Sequence, residues 1–208
     1  MKKAVVVISP PAAVNHERQR VREMMEAGLE YFHVRKPGYS RSAMEGYISG
    51  FSPSVRKKMV LHHHYDLAER YGLRGIHITE KSKAMEGLDQ MLARHRHVSV
   101  SSHNPDELSR LTHPYTYAFL SPVFKSLSKP GHDDAFSLEK LKIFFSRYRG
   151  LPVMALGGIH PDNLQLISGM GFHGVALLGA IWPESTGAKH GEDGFQNFLQ
   201  MKELVKTL

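Results

Sequence analysis

Short runs of β-forming residues recur along the whole chain, and this repetition constrains the fold more than any other feature. The predicted strands are Ala4–Ile8, Tyr31–Arg35, Met59–His62, Gly75–Thr79, Val98–Ser102, Tyr117–Ser121, Val153–Leu156 and Gly174–Leu178. Most are separated by amphipathic stretches, and the predicted helices are Glu17–Ala27, Asp66–Tyr71, Leu88–Arg94, Pro105–Leu111, Leu138–Tyr148, Pro161–Met170 and Gly194–Leu208. Eight strand–helix units within 208 residues predict an α/β fold, one (β/α)8 barrel of the TIM type over residues 1–208. A doubly wound sheet of five or six strands would leave strands unused.

Composition limits the classes of partner. The chain is 41% hydrophobic and 23% charged, which is typical of a globular protein, and it has no cysteine for disulfides, thiolate metal sites or a thiol nucleophile. Its formal net charge of +7 favours anionic partners. The basic residues are scattered, and no basic helix carries interleaved aromatic residues. We therefore expect phosphorylated small molecules as ligands, and no nucleic acid.

The hydrophobic segments are too short for a membrane. The apolar run that follows Lys2 and Lys3 ends at Pro10, and it is shorter than the apolar region of a signal peptide. Nothing approaches the length of a transmembrane helix. These features predict a cytoplasmic protein without a membrane partner, and no pattern indicates an oligomeric state.

Two neighbouring strand ends run into glycine. A buried strand ending at Leu156 is followed by Gly157 and Gly158, and the last strand runs through Leu178 into Gly179. Backbone N–H groups at such junctions are unshielded by side chains, and the loops after strands seven and eight are the usual phosphate site of a barrel. Gly157, Gly158, Leu178 and Gly179 are therefore candidate phosphate-binding residues, and the alternative is that the glycines serve only to make tight turns.

The ends of the other strands carry histidine, arginine and serine. In a barrel these positions line the mouth, and in chain order they are Ser9, His33, Arg35, His62, His63, His64, His77, Glu80, Ser101, His103 and Ser121. His33 and His77 alternate with apolar residues, so both also fit a core position. The run of three histidines could hold a metal ion, because residues i and i+2 of a strand face the same side. The long segment 125–136 after strand six contains Ser126 and Lys129 and is predicted to be a mobile lid.

In this order, the motifs resemble the thiamine-phosphate synthases and the related thiazole tautomerases. The resemblance extends over the whole chain and rests on His33-Val34-Arg35, Gly75-Ile76-His77, Ser99–His103, Ser121–Phe124 with Ser126, Ser128 and Lys129, Gly157–Asn163 and Gly174-Val175-Ala176. It implies a transferase that couples a pyrimidinylmethyl pyrophosphate to a thiazole phosphate and releases pyrophosphate. It also implies that Arg35, Ser101, Ser126 and Lys129 hold the pyrophosphate, with magnesium as the candidate cofactor.

The chain departs from the family pattern at the metal site. The Asn-Asp pair of the family's third strand falls on His62-His63, and its second metal-binding aspartate falls on Ser82. The family's lysine two residues past the strand-two arginine falls on Pro37. Magnesium prefers oxygen ligands, and Glu80 is the nearest remaining carboxylate. A protonated His63 would then join Arg35 and Lys129 in stabilising the leaving group, so activity would fall at alkaline pH.

Two alternatives to a synthase follow from the same comparison. The His-x-Arg triplet at His33 is more similar to the tautomerases, in which His33 or His62 would act as acid and base. The tautomerase histidine after strand six, however, falls on Pro122. A non-catalytic protein that binds a phosphorylated ligand is the second alternative.

Overall fold

The computed structural model describes residues 3–124, 136–183 and 193–208, and in them eight parallel strands close into a barrel. The strands are β1 (Ala4–Ile8), β2 (Tyr31–Val34), β3 (Met59–Leu61), β4 (Gly75–Ile78), β5 (Val98–Ser102), β6 (Tyr117–Leu120), β7 (Val153–Leu156) and β8 (Gly174–Leu177). Each pairs with its neighbour in sequence, and β8 pairs with β1. The predicted (β/α)8 barrel is confirmed. Residues 125–135 of the predicted lid, Ser126 and Lys129 among them, lie outside the described residues.

Helices connect successive strands on the outside of the barrel. They are α1 (Glu17–Glu26), α2 (Arg41–Ser49), α3 (Pro53–Arg56), α4 (Asp66–Arg70), α5 (Leu88–Ala93), α6 (Pro105–Leu108), α7 (Leu138–Arg147), α8 (Pro161–Leu164) and α9 (Gly194–Leu204). Short 3-10 turns at Glu80–Ala84, Gln165–Ile167 and Val205–Thr207 complete them. No helix in these ranges is long and apolar enough to cross a membrane. Ser40, Asn104 and Ser137 cap α2, α6 and α7, since their side chains accept hydrogen bonds from first-turn amides.

Several predicted ends were wrong by small amounts. Five strands end one residue earlier than predicted, so that Arg35, His62, Thr79, Ser121 and Leu178 lie just outside them. The helix predicted to reach Leu111 ends at Leu108, and the one predicted to reach Met170 ends at Leu164 and continues as a 3-10 turn. Helix α3 and the 3-10 turn that contains Glu80 were missed because neither shows apolar periodicity.

The alternation of side chains along the strands separates two layers of core. One alternate set packs between the barrel and its helices, and it includes Val5, Val7, Phe32, Val34, Ile76, Ile78, Val98, Val100, Val175 and Leu177. The other set fills the barrel interior with Ala4, Val6, Ile8, Tyr31, Tyr117, Phe119, Met154 and Ala176. Strands β2 to β5 also send histidines and serines into this interior, so half of the inner wall is polar.

A buried ion pair fixes the segment that follows β2. The Lys36 ammonium donates to Glu17 at 2.7 Å and to the carbonyl of Ala12 at 3.0 Å, and Tyr47 donates its hydroxyl to the other Glu17 oxygen at 2.6 Å. Lys36 and Glu17 are almost fully buried. Burial lowers the pKa of Lys36, while the hydrogen bond to Glu17 opposes this shift. The β1–α1 loop, α1 and α2 are thereby tied to the residue next to Arg35.

We expect Lys36→Met to lower the free energy of unfolding by about 3–5 kcal/mol, because it leaves the Glu17 carboxylate buried without its cation. The measurement is urea denaturation at neutral pH. The double variant Lys36→Met/Glu17→Gln should recover most of the loss. Arg41→Met, which removes the exposed ion pairs with Glu45 and Asp66, is the matched control and should cost at most about 1 kcal/mol. Equal losses for the two single variants would contradict the buried-pair assignment.

Candidate functional site

Three imidazoles fill the polar half of the barrel interior. His33, His62 and His77 are each at most 3% exposed. The rings of His62 and His77 stack with centroids 4.2 Å apart, and the ring of His33 lies edge-on to both. Phe119 contacts His33 and His77 from β6, with 4.8 Å between ring centroids in each case. One face of the cluster is therefore aromatic and dry.

The imidazoles are joined by hydrogen bonds to each other and to hydroxyls. His33 Nδ1 lies 2.9 Å from His62 Nε2, and His33 Nε2 lies 2.6 Å from the Tyr117 hydroxyl. His77 contacts Ser99 Oγ through Nδ1 and Ser101 Oγ through Nε2, both at 2.9 Å. His62 Nδ1 is buried and has no hydrogen-bond partner among the described residues. The cluster thus has one unpaired nitrogen, on the residue that directly follows β3.

Burial keeps the three histidines neutral. It is the main cause that lowers the pKa of His33 and of His62 far below the usual range and the pKa of His77 to about 3. The charge of Arg35 and the neighbouring imidazoles act in the same direction. The pKa of His63 is lowered too, by burial and then by Arg35 and His64. The lowered pKa disfavours the protonated His63 that was expected to help stabilise a leaving group.

The run of three histidines does not act as one ligand set. Strand β3 ends at Leu61, so the rule that residues i and i+2 face the same side no longer applies. His64 has a positive φ of 53° and contacts the carbonyl oxygen of Tyr39 through Nε2 at 3.1 Å. The nitrogens of His33, His62 and His77 do lie within 4.8 Å of one another. Imidazole nitrogens alone nevertheless suit zinc or copper rather than magnesium.

Magnesium finds no suitable set of oxygen ligands among the described residues. Glu80 is exposed and binds Lys83 at 2.8 Å, and Lys83 also binds Glu107. Ser82, on which the family resemblance places the second metal-binding aspartate, accepts a hydrogen bond from Tyr65 at 2.8 Å and contacts the Thr79 hydroxyl at 2.9 Å. These oxygens are already occupied, and so the residues present do not fit a protein-bound magnesium ion.

Arg35 is placed at the mouth by its own backbone. Its amide N–H donates to Ser9 Oγ at 2.8 Å, and the Ser9 hydroxyl donates to the Arg35 carbonyl at 3.2 Å. The side chain is half-buried, and its charge acts on His62, His63 and His77. Arg35, Ser101 and His62, predicted from separate motifs, are therefore grouped at the C-terminal ends of β2, β5 and β3.

The glycine turns after β7 and β8 form the second part of the site. Gly157 and Gly158 have φ angles of 96° and 63°, and a Cβ atom on Gly157 would lie 2.8 Å from Pro122 Cα. The carbonyls of this turn are occupied, since Phe124 N–H donates to Gly157 at 3.1 Å and Asn163 Nδ2 donates to Gly158 at 2.7 Å.

The carbonyls and the N–H groups of these turns differ in their hydrogen bonding. The carbonyl of Leu178 accepts from the amides of Ile181 and Trp182 at 3.0 Å. By contrast, the N–H groups of Gly157, Gly158 and Gly179 donate no hydrogen bond to the described part of the chain. Because Leu156 pairs with Ala176, the two turns are adjacent. Unpaired N–H groups in a concave turn form a nest for an anion.

The sequence left His33 with either a mouth or a core position, and the structure places it inside the barrel. Both of its ring nitrogens are paired, so it contacts no ligand except through His62. Tyr117 and Ser99, which complete the hydrogen bonding, were missed, and so was Lys36. Ser99 and Tyr117 alternate with apolar residues that face outward. This alternation could have predicted that their side chains face the barrel interior. Lys36 gave no signal, since it resembles any solvated lysine.

Comparisons with known proteins agree with this geometry. The model of the family TMP-TENI, described as thiamine monophosphate synthase, matches residues 5–181. The thiamine-phosphate synthase of Vibrio parahaemolyticus is 26% identical over 165 residues, covering 77% of this chain and 80% of its own length. That of Lysinibacillus sphaericus is 26% identical over 182 residues, covering 81% and 83% respectively.

Solved structures give the same result. A thiamine phosphate pyrophosphorylase from Bacteroides thetaiotaomicron has a TM-score of 0.76 and 27% identity, covering 98% of this chain and 97% of its own. One from Pyrococcus furiosus has a TM-score of 0.77 at 19% identity, covering 98% and 96%, and that likeness concerns the fold alone.

The neutral imidazoles predict a loss of stability in mild acid. Between the lowered folded-state pKa values and the ordinary value of 6.5, the unfolded chain binds more protons than the folded chain. The free energy of unfolding should therefore be constant with respect to these groups above pH 6.5. Below it, each histidine should remove up to about 1.4 kcal/mol per pH unit.

Urea denaturation at intervals from pH 7.5 to 5 measures this slope above the range in which carboxylates titrate. His77→Gln, which removes one of the three groups, should give a shallower slope than the wild type. A free energy of unfolding that stays constant down to pH 5 would show that the cluster accepts protons readily in the folded state.

Proposed function

The chain belongs to the thiamine monophosphate synthase family, and from that premise we propose that it couples a pyrimidinylmethyl pyrophosphate to a thiazole phosphate, releasing pyrophosphate and forming thiamine phosphate. The relatives named above carry this activity in their names. The observation in this chain that supports the proposal best is the pair of adjacent turns with occupied carbonyls and unpaired amides. Such a surface binds an anion and rejects a cation.

We assign the thiazole phosphate to the turns at Gly157, Gly158, Leu178 and Gly179. Phosphate oxygens accept hydrogen bonds from backbone N–H groups, and charge-assisted bonds of this kind are stronger than neutral ones. The absence of side chains at the glycines lets the phosphate approach the backbone closely. The thiazole ring would then extend towards the barrel axis, where Leu156 and Leu178 supply apolar surface.

We assign the pyrophosphate to Arg35 and Ser101, with Ser126 and Lys129 as candidates that lie outside the described residues. The guanidinium fork binds two phosphate oxygens at once. When the carbon–oxygen bond to pyrophosphate breaks, negative charge develops on the leaving group and positive charge on the pyrimidine. Arg35 stabilises the negative charge on the leaving group. The neutral imidazole of His62 does not repel the positive charge on the pyrimidine. The thiazole nitrogen then bonds to the cationic carbon.

No step of the proposed reaction is assigned to a magnesium ion. The described mouth residues offer no free carboxylate, so a magnesium ion would arrive with the pyrophosphate and be held by its oxygens. The chemistry it supplies when bound is neutralisation of the leaving group. Glu80, the carboxylate nearest to the family's metal position, is paired with Lys83 instead.

A second candidate function is favoured by one observation. His62 Nδ1 has no hydrogen-bond partner among the described residues, and a ring nitrogen left open in this way is the group that a general base needs. A proton-transfer enzyme acting on a thiazole carboxylate phosphate would use the same phosphate turns. Proton exchange into that ligand without pyrophosphate release would favour this alternative over the transferase. If neither activity is found, the remaining alternative is a non-catalytic protein that binds the ligand.

We expect Gly158→Val to weaken binding of the thiazole phosphate by roughly 1–3 kcal/mol, because a bulky side chain blocks approach to the turn. Calorimetric titration measures the affinity. Gly72→Val is the matched control: Gly72 has a φ of 61° against 63° for Gly158, so both variants impose similar backbone strain, but Gly72 follows α4 on the opposite end of the barrel. Equal affinity for the two folded variants would exclude the turn as the phosphate site.

We expect Arg35→Ala to lower the rate of pyrophosphate release at least tenfold, whereas Glu80→Ala should change it less than threefold. A lost charge-assisted contact to a leaving group is worth about 1.5–3 kcal/mol, while Glu80 is an exposed partner of Lys83. Initial rates with both substrates, with magnesium or with EDTA, give the comparison. If Arg35→Ala matches the wild type, the pyrophosphate lies elsewhere. If the wild type releases none, the transferase proposal fails.

A further inference from the structure

Three imidazoles from neighbouring parts of the barrel wall converge in the interior. His33 lies on β2, His77 lies on β4, and His62 directly follows β3. One ring nitrogen of each lies within 4.8 Å of the other two, and in the described part of the chain this is the group of side chains whose ligand atoms are close enough to share a metal ion. The three residues are distant in sequence, so the closure of the barrel brings them together.

Two of the nitrogens already have nearly the spacing of metal ligands. His33 Nδ1 lies 2.9 Å from His62 Nε2. Imidazole nitrogens bind zinc at about 2.0–2.1 Å, so two of them at a tetrahedral angle are roughly 3.3 Å apart. A separation of roughly 0.4 Å and a small rotation of the rings therefore turn both lone pairs towards one point. An ion at that point replaces the hydrogen that the two nitrogens share in the structure.

His77 needs the largest adjustment. Its ring is stacked on that of His62, with 4.2 Å between the centroids and 26° between the planes. Each of its nitrogens contacts a serine hydroxyl at 2.9 Å. To bind an ion, the ring has to tilt out of the stack and give up one serine. The other nitrogen keeps its serine, and that hydrogen bond continues to orient the ring.

The hydrogens of the neutral imidazoles remain on the rings when an ion binds. A ring that binds through one nitrogen carries its hydrogen on the other. His33 then carries hydrogen on Nε2 and donates to the Tyr117 hydroxyl, which lies 2.6 Å away. His62 carries hydrogen on Nδ1, the buried nitrogen without a partner among the described residues. A hydrogen bond from the second nitrogen, as in His33, orients most metal-bound histidines.

We propose that His33, His62 and His77 form a site for one divalent ion of the late transition metals, with zinc as the expected ion. Imidazole nitrogen suits zinc, whereas magnesium requires oxygen ligands. Three protein ligands leave one tetrahedral position for water or a small anion. The site goes beyond the proposed function and does not rest on it, because no step of that reaction uses an ion in the barrel interior.

The first test is a metal titration of the full chain after treatment with a chelator and dialysis. Cobalt replaces zinc in such sites and absorbs visible light strongly when its coordination is tetrahedral. We expect one cobalt ion per chain with this absorption, displaced by one equivalent of zinc and unaffected by magnesium. Zinc should also raise the midpoint of urea denaturation, because it binds the folded chain. A folded chain that takes up neither cobalt nor zinc would overturn the proposal.

X-ray absorption at the zinc edge counts the ligands without any substitution. In the wild type with one equivalent of zinc, we expect three imidazole nitrogens at about 2.0–2.1 Å and one ligand from solvent. Fewer than three imidazoles would overturn the three-histidine site.

Variants then assign the ligands. His62→Gln and His77→Gln should each weaken zinc binding by roughly a hundredfold or more, since even the loss of a group that orients a ligand costs about 10–100-fold. Competition with a chromophoric chelator measures the affinity. His63→Gln is the matched control, because His63 is the adjacent residue and also has a buried nitrogen without a described partner, but lies outside the group. His97→Gln, which removes a buried imidazole just before β5, is the second control.

Both controls should bind zinc like the wild type and keep its stabilisation in urea. Equal losses in His63→Gln and His62→Gln would move the ion to the run of histidines at the mouth and overturn the proposal. Unchanged affinity in folded His62→Gln and His77→Gln would overturn it as well. If these two variants do not fold, the ligand count from X-ray absorption decides. Zinc binding without pyrophosphate release would support the site and contradict the transferase, so the two proposals fail independently.

Discussion

The closed barrel leaves the polar side chains of its interior only one another as hydrogen-bond partners. Once β8 pairs with β1, the side chains between the strands are shut off from water along most of the axis. A buried hydroxyl or imidazole without a partner costs about 1–3 kcal/mol. Ser99, Tyr117, His33 and His77 therefore pair with one another, and the exact register of four strands decides which atoms meet. Within the described residues, His62 at the mouth keeps a buried nitrogen without a partner, and so does His97, which precedes β5 and packs on Tyr31 and Tyr117.

The same closure divides the mouth into two halves of different chemistry. On the β7–β8–β1 side the inner wall is small or apolar, and the backbone turns offer their N–H groups directly. On the β2–β5 side the wall is built from imidazole, hydroxyl and guanidinium groups. The first half recognises an anion by shape and backbone, and the second by side chains. A reaction between two anionic substrates needs both kinds of recognition within one cavity.

The sequence predicted the fold closely because the relevant signals are local. Period-two alternation and turn residues located all eight strands to within one residue at each end. The turn at Gly157 and Gly158 was equally predictable, since a positive φ is a local demand that glycine meets. The depth of His33 and the pairing of Lys36 with Glu17 were not predictable, because they depend on which residues from distant segments face each other. No spacing along the chain encodes the 2.6 Å contact between His33 and Tyr117.

The described mouth residues offer magnesium no set of free oxygen ligands, so the electrostatic task falls to a few cations. A cluster of histidines looks like a replacement source of positive charge, but burial and mutual repulsion keep the imidazoles uncharged at neutral pH. In the described ranges, Lys36 and Lys83 are neutralised by Glu17, Glu80 and Glu107. Arg35 is thus a mouth cation in these ranges whose charge is not committed to a carboxylate. Neutral histidines next to it are an advantage, because protonated ones would compete with it for the same anion and repel a developing carbocation.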